Sequence, residues 1–182
     1  MIEVFTTAIG GLLRIRPRVF GDPRGQFMET FNAGQFAKAT GITDRFVQDN
    51  ESRSRAGVLR GLHLQVAPHA QAKLVRVVRG AVLDVCVDCR PGSPTYGQHV
   101  GIRLDDRQNE LLYIPEGMAH GFVALEEETV FSYKCSAYYA PAAERTILWN
   151  DPDLAIDWGI DRPLISDKDL AGAPFKARAW AQ

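Results

Sequence analysis

Long apolar runs are missing from this sequence. Nowhere does it carry the roughly 20 consecutive apolar residues that a bilayer-spanning helix needs, so a membrane-spanning helix is not expected. Charge of one sign is missing too. Lys and Arg number 21 against 22 Asp and Glu, for a formal net charge of −1, so no global field draws the chain to nucleic acid or to an anionic membrane. An anionic ligand must instead be caught by a local basic cluster. Cysteine is scarce, at three residues, and the start MIEVFTTAIGGLLRIR has no basic stretch ahead of an apolar core. Neither an export signal nor a disulfide framework is therefore expected, and the chain reads as cytoplasmic. Internal repeats, low-complexity tracts and dividing linkers are also lacking. Residues 1–182 are expected to form a single domain, long enough for a sizeable core.

Long helical patterns are few. FNAGQFAKATG, residues 31–41, predicts one short helix capped by Asn32 and stopped by Gly41. The rest is short β-branched and aromatic runs, among them LLRIRPRVF, GQFMETF, DRFVQDN, GVLRGLHLQ, KLVRVVRGAVLDVCVD, GQHVGIRL, ELLYIPEG, AHGFVAL and TVFSYKCSAYY. Turn signals separate them at Gly21-Asp22-Pro23, Pro91-Gly92-Ser93-Pro94 and Asp105-Asp106. Many short strands between frequent turns predict an all-β sandwich or barrel. From Asp151 onward the alternation stops, and this last stretch is expected to wrap the barrel rather than extend its sheets.

Cys86 and Cys89 form a CxxC that invites a metal or redox reading. The period-two pattern of AVLDVCVDC places Leu83, Val85, Val87 and Cys89 on one face and Asp84, Cys86 and Asp88 on the other. Cysteines on opposite faces of a strand cannot share an ion or a disulfide without distortion, so both are read as core residues.

Polar side chains of catalytic type sit within the strands themselves. Arg60 and His63 interrupt GVLRGLHLQ, Lys73 opens the next run, His120 follows PEGMA, and Tyr133 and Lys134 interrupt TVFSYKCS. A strand packed against a partner sheet normally fills its inner face with aliphatics, and buried polar groups are costly unless paired. Their recurrence on separate strands predicts a polar cavity inside a small barrel. Three chemistries could use it. IPEGMAH resembles half of a cupin metal site, but His63-Leu64-Gln65 lacks the second histidine two residues on, and His69 has no partner at ligand spacing; a catalytic metal generally takes three protein ligands. The second is metal-free acid–base chemistry, with a histidine base, the Lys73 cation on an enolate oxygen and a tyrosine acid. The third is binding alone, with Arg24, Arg60 and Lys73 gripping a phosphate. Residue types leave the second and third open.

The motifs GDPRGQFMETF, FVQDN, VLRGLHLQ, AQAKLVRVVRG, LYIPEGMAHGF, YKCSAYYAP, ERTILWNDP and SDKDLAGAP together resemble the dTDP-4-dehydrorhamnose 3,5-epimerase family, in that family's order and over about residues 2–173. The resemblance implies a cupin-type double-sheet jelly roll with short peripheral helices. It implies a homodimer that uses no metal or other cofactor. The implied substrate is dTDP-4-dehydro-6-deoxy-D-glucose, inverted at C3 and C5 on the way to dTDP-L-rhamnose. Relatives that invert one carbon share these motifs, so the resemblance also covers a single-carbon epimerase.

Residue by residue, the resemblance makes His63 the base, Asp169 the carboxylate that orients it, Tyr133 the proton donor from the other face and Lys73 the enolate-stabilising cation. Arg24, Glu29, Gln48, Asp49, Asn50, Arg60, His120, Glu144 and Lys168 match positions that line the nucleotide-sugar site, with Arg60 toward the diphosphate. Tyr139 matches the aromatic that stacks on thymine, and alternation sends its neighbour Tyr138 to the opposite face. Leu64 and Ser136 stand where the family often has Phe and Thr. Asp84, on the strand after Lys73, is expected to pair with that lysine.

Overall fold

The computed structural model describes residues 2–177. In chain order its strands are β1 (Glu3–Thr6), β2 (Leu13–Arg16), β3 (Val19–Asp22), β4 (Gly25–Met28), β5 (Gln48–Ser54), β6 (Leu59–Gln65), β7 (Lys73–Arg79), β8 (Ala81–Asp88), β9 (His99–Asp105), β10 (Leu111–Ile114), β11 (Met118–Ala124), β12 (Thr129–Cys135) and β13 (Glu144–Thr146). Helix α1 (Ala33–Thr40) follows β4, and the four-residue α2 (Asp167–Leu170) follows β13. Two antiparallel sheets carry the fold, ordered β1-β2-β10-β7-β12-β5 and β13-β6-β11-β8-β9, with β3 and β4 as a separate hairpin. This is the double-sheet jelly roll that the strand pattern and motifs lead one to expect.

Apolar side chains fill three layers. Between the sheets lie Val75, Val77, Val82, Cys86, Leu104, Leu112, Phe122 and Phe131. Outside the five-stranded sheet, Leu62, Leu64, Val85, Val87 and Cys89 meet Leu154, Trp158 and Phe175 of the C-terminal stretch. Outside the six-stranded sheet, Leu74, Leu111 and Tyr113 meet Phe36 of α1. The C-terminal stretch thus wraps a sheet face, and Cys86 within β8 and Cys89 one residue past its end face different layers, both as alternation predicts.

Local signals explain the element ends. Asn32 caps α1 by accepting from the Gln35 N–H at 3.0 Å, and Gly41 ends it at φ 75°. The run KLVRVVRGAVLDVCVD is not one strand. Gly80, at φ 82°, turns the chain from β7 in one sheet to β8 in the other, and a Cβ there would lie 2.6 Å from Thr129 Oγ1. LLRIRPRVF also divides, at Pro17-Arg18, between β2 and the β3–β4 hairpin. The run expected to end at Asn50 instead begins a strand at Gln48 and continues to Ser54. β5 is an edge strand bordering the polar cavity, so its residues QDNESRS carry little apolar periodicity to read. β1 and β13, at four and three residues, are too short to announce themselves.

Candidate active site

β6 answers why a half-apolar strand carries Arg60 and His63. Leu62 and Leu64 point into the outer core, while Arg60 and His63 line a cavity of about 380 Å³. Lys73 from β7, His120 from β11, Tyr133 from β12, Tyr139, Glu144 from β13, and Lys168 and Asp169 from α2 line the same cavity. An adjoining recess of about 260 Å³ shares His63, Lys73, Tyr133, Tyr139 and Glu144 and adds Gln48 and Asn50.

His63 and Asp169 form a dyad, with His63 Nε2 at 2.6 Å from Asp169 Oδ1. The other oxygen, Oδ2, accepts from the Gly61 N–H at 3.2 Å, and Asp169 N–H reaches the capping Ser166 Oγ at 3.2 Å. Asp169 is thereby held inside the wall, 4% exposed. Burial pushes its carboxyl up, but the hydrogen bond and charge of His63 and the N–H of Gly61 outweigh it and hold the group below the usual aspartate range. An ionised carboxylate only accepts. Nε2 therefore carries the imidazole proton and Nδ1 keeps a free lone pair, the arrangement of an oriented general base.

Gly61 is required for this geometry. Its φ is 128°, and a Cβ there would stand 2.5 Å from Gly121 Cα and 2.9 Å from the His120 carbonyl oxygen. β6 and β11 approach backbone to backbone at this pair of glycines, and His63 and His120 are directly paired across the two strands.

Lys73 is buried, 9% exposed, and among the described residues no carboxylate lies within ion-pair distance of it. Burial lowers its ammonium below the ordinary lysine range, partly offset by the acidic groups around it, including Asp84 and Glu144. The expected Lys73–Asp84 pair does not form. Asp84 is fully buried and takes His120 Nε2 at 2.9 Å instead, because the β8–β11 register brings their side chains together in one layer of the sheet. A buried cation without a counter-ion is costly alone, and it suits a site where negative charge develops on a ligand.

Tyr133 comes from the six-stranded sheet, and so from the wall that faces His63 on the five-stranded one. Burial raises its phenol, the neighbouring Cys135 adds to this, and Arg60 opposes it, so it stays a protonated donor at neutral pH. Arg60 leans on β5, its Nε donating to Ser54 Oγ at 3.2 Å. Tyr139 donates its hydroxyl to Glu144 Oε2 at 2.8 Å, and Lys168 Nζ reaches the same oxygen at 2.5 Å. Burial raises the Glu144 carboxyl, but Lys168 and Tyr139 win and hold it low.

Three expected site residues are not brought to this cavity. Asp49 points away from it, pairing with Lys134 at 2.8 Å, because alternation along β5 places Gln48 and Asn50 on the inner face and Asp49 on the outer one. Arg24 is bound to Asp22 on the β3–β4 hairpin and lines a separate recess with Phe20 and Phe27. Glu29 accepts from Gln35 of α1 at 3.0 Å. Sequence reading also missed cavity residues. Ser52, Phe122, Phe131 and Ser166 line the main chamber, and Gln65, Gln71 and Cys135 the adjoining recess. Gln65 was within reach of sequence reasoning, since it lies two residues after His63 and shares its face. No three His, Cys, Asp or Glu side chains converge as a metal-ligand set among the described residues.

The chain matches the family model described as dTDP-4-dehydrorhamnose 3,5-epimerase over residues 6–177. It is 53% identical to the dTDP-4-dehydrorhamnose 3,5-epimerase of Pseudomonas aeruginosa over 92% of this chain and 93% of that one. It is 46% identical to a dTDP-4-dehydrorhamnose 3-epimerase of Streptomyces niveus, over 88% of this chain and 78% of that protein. A crystal structure of a dTDP-6-deoxy-D-glucose-3,5-epimerase from Legionella pneumophila in complex with dTDP-4-keto-L-rhamnose superimposes with a TM-score of 0.94, at 46% identity, over 98% of this chain and 95% of that one. Fold, chamber and sequence agree, and this chain belongs to the dTDP-4-dehydrorhamnose 3,5-epimerase family.

Proposed function

We propose that this chain inverts C3 and C5 of dTDP-4-dehydro-6-deoxy-D-glucose, giving dTDP-4-dehydro-L-rhamnose for dTDP-L-rhamnose synthesis. The observation that carries the reading is the His63–Asp169 dyad, 2.6 Å apart, facing Tyr133 across a chamber that also holds Lys73, which no carboxylate pairs among the described residues. The C4 ketone acidifies the protons on C3 and C5, so a base and a stabilised enolate suffice. His63 Nδ1 takes the carbon-bound proton, the C–H electron pair becomes the carbon–carbon π bond of the enolate, and the ketone's π pair moves onto its oxygen. Lys73, buried in the chamber wall, meets that oxyanion. As the enolate collapses back to the ketone, Tyr133 gives a proton to the opposite face of the carbon, and the phenolate and imidazolium exchange protons with solvent before the second carbon is inverted and again before the next turnover. No redox cofactor enters the balance.

Arg60 and Lys168 suit the diphosphate, and Tyr139 the thymine ring. The chain acts as a homodimer in this reading. Arg24 and Glu29 match nucleotide-sugar positions yet lie outside their own chamber, and Phe20 and Phe27 on the same hairpin are 49% and 68% exposed. A second copy would cover that hairpin and bring it to the neighbouring site. The cytoplasm is the proposed compartment; no helix among the described residues is long and apolar enough to cross a membrane.

A single-carbon epimerase is the second reading, favoured by the likeness to the Streptomyces niveus 3-epimerase. Incubation with the substrate in D2O, followed by proton NMR, separates the two. Deuterium at both C3 and C5, with conversion to dTDP-L-rhamnose when a 4-reductase is added, supports the double inversion. Exchange at one carbon alone supports the second reading, and no exchange with dTDP still bound leaves a binding protein.

A further inference from the structure

Four consecutive residues after β12, Ala137 to Ala140, belong to no strand or helix, yet each has a backbone group tied by a glutamine. Gln71 donates to the Ala137 carbonyl at 2.7 Å. Gln65 donates to the Tyr138 carbonyl at 3.2 Å and accepts from the Ala140 N–H at 2.8 Å. Gln48 accepts from the Tyr139 N–H at 2.8 Å. The glutamines come from different places: the start of β5 in one sheet, the end of β6 in the other, and the loop between β6 and β7. Gln65 is 5% exposed and also donates to the His69 carbonyl at 2.6 Å, so its amide joins two loops.

Loop backbone at a surface is ordinarily satisfied by water and mobile. Here the polar groups of both sheets set the path of the loop, and the ring it carries is that of Tyr139, half exposed at the cavity rim. The Tyr139 hydroxyl is held as well, by Glu144. We infer that Gln65, with Gln71, is a positioning residue for nucleotide binding: the glutamine clamp pre-orients Tyr139 as a flat platform for the base. This rests on the reading of Tyr139 as the thymine platform. A loop ordered before the ligand arrives loses little conformational freedom on binding, and that saving appears as affinity. The clamp touches neither reacting carbon nor the dyad, so its loss acts on ground-state binding, raising KM and leaving kcat nearly alone.

The test is a cycle of Gln65→Met, Tyr139→Ala and the double variant, with KM and kcat for the dTDP-sugar and thermal melting of each. Gln65→Met is expected to raise KM about tenfold, which corresponds to about 1.4 kcal/mol, with kcat changed less than twofold. In the Tyr139→Ala background the same substitution should leave KM unchanged, because there is no platform left to position. An equal penalty in both backgrounds, or a loss confined to kcat, overturns the inference while leaving the platform intact. If Tyr139→Ala alone does not raise KM, the platform reading itself fails and takes the inference with it. Gln71→Met, at the loop's other end, repeats the cycle if Gln65→Met does not fold, and the same outcomes decide.

Discussion

Replacing Asp169 by Asn separates the charge of the dyad from its shape. The amide keeps the size of the carboxyl and one carbonyl oxygen, so the Gly61 N–H and the Ser166 cap retain partners. What disappears is the negative charge beside the imidazolium that forms when His63 takes a proton. The heavy atoms are 2.6 Å apart, which places the centres of charge at about 4 Å. At an effective dielectric constant of about 20, that pair interacts by about 4 kcal/mol, or about three decades of rate. The amide N–H2 can also turn toward Nε2, which forces the imidazole proton onto Nδ1 and removes the base altogether, so three decades is the lower figure. The assay is wash-in of deuterium at C3 and C5 by NMR, with kcat and KM for the coupled reduction. Asp169→Asn should lose about a thousandfold in both exchange and kcat, with KM within a few-fold and a modest fall in melting temperature at pH 7, since a carboxylate held low in the folded state contributes stability there. A loss under tenfold would refute the oriented-base reading. So would rescue of the variant simply by raising the pH, since a wrong tautomer does not recover with pH.

Lys73→Met should lower kcat by about 100- to 1,000-fold, the usual cost of removing one oxyanion donor, while thermal stability stays level or rises because a buried, unpaired ammonium is gone; a matching loss of stability and activity would count against the oxyanion role. Tyr133→Phe should abolish inversion but keep deuterium exchange, since His63 can still remove and return the proton on its own side, and NMR of the recovered sugar distinguishes exchange with retention from inversion. Asp84→Asn should leave the fold intact by circular dichroism and lower activity about tenfold through a misoriented His120, typical of a lost outer-shell carboxylate; wild-type rates would remove His120 from the chemistry. Asp88, remote from the chamber, tests stability alone. Burial pushes its carboxyl up, but Arg90, Ser93 and Thr95 outweigh this and hold it well below the usual range. A group depressed in the folded state stabilises above the unfolded pKa of about 3.9 and loses that contribution as pH falls below it. Melting curves should therefore drop as pH falls below about 4, and Asp88→Asn should cost about 3 kcal/mol at pH 7 with a flatter acid limb.

The sequence by itself determined the strand-rich class, the ends of α1 and the two faces of β8, because these rest on local period, caps and turn residues. The motif set also placed His63, Lys73, Tyr133, Tyr139 and Asp169 in one site, although the dyad's partners lie 106 residues apart. Tertiary structure decided the rest. Alternation states which way a side chain points but not which strand lies beside it, so Asp84 could be read as the partner of Lys73 when the register of β8 with β11 gives it to His120. The same alternation, once β5 is known to run from Gln48 to Ser54, turns Asp49 outward to Lys134. Division of one apolar run into β7 and β8 depended on Gly80 and its close approach to Thr129, a contact 49 residues distant. The placement of Arg24 and Glu29 away from the chamber follows from the hairpin's packing, which no local pattern encodes. Local chemistry chooses the elements; the pairing of distant strands chooses which of their polar groups meet.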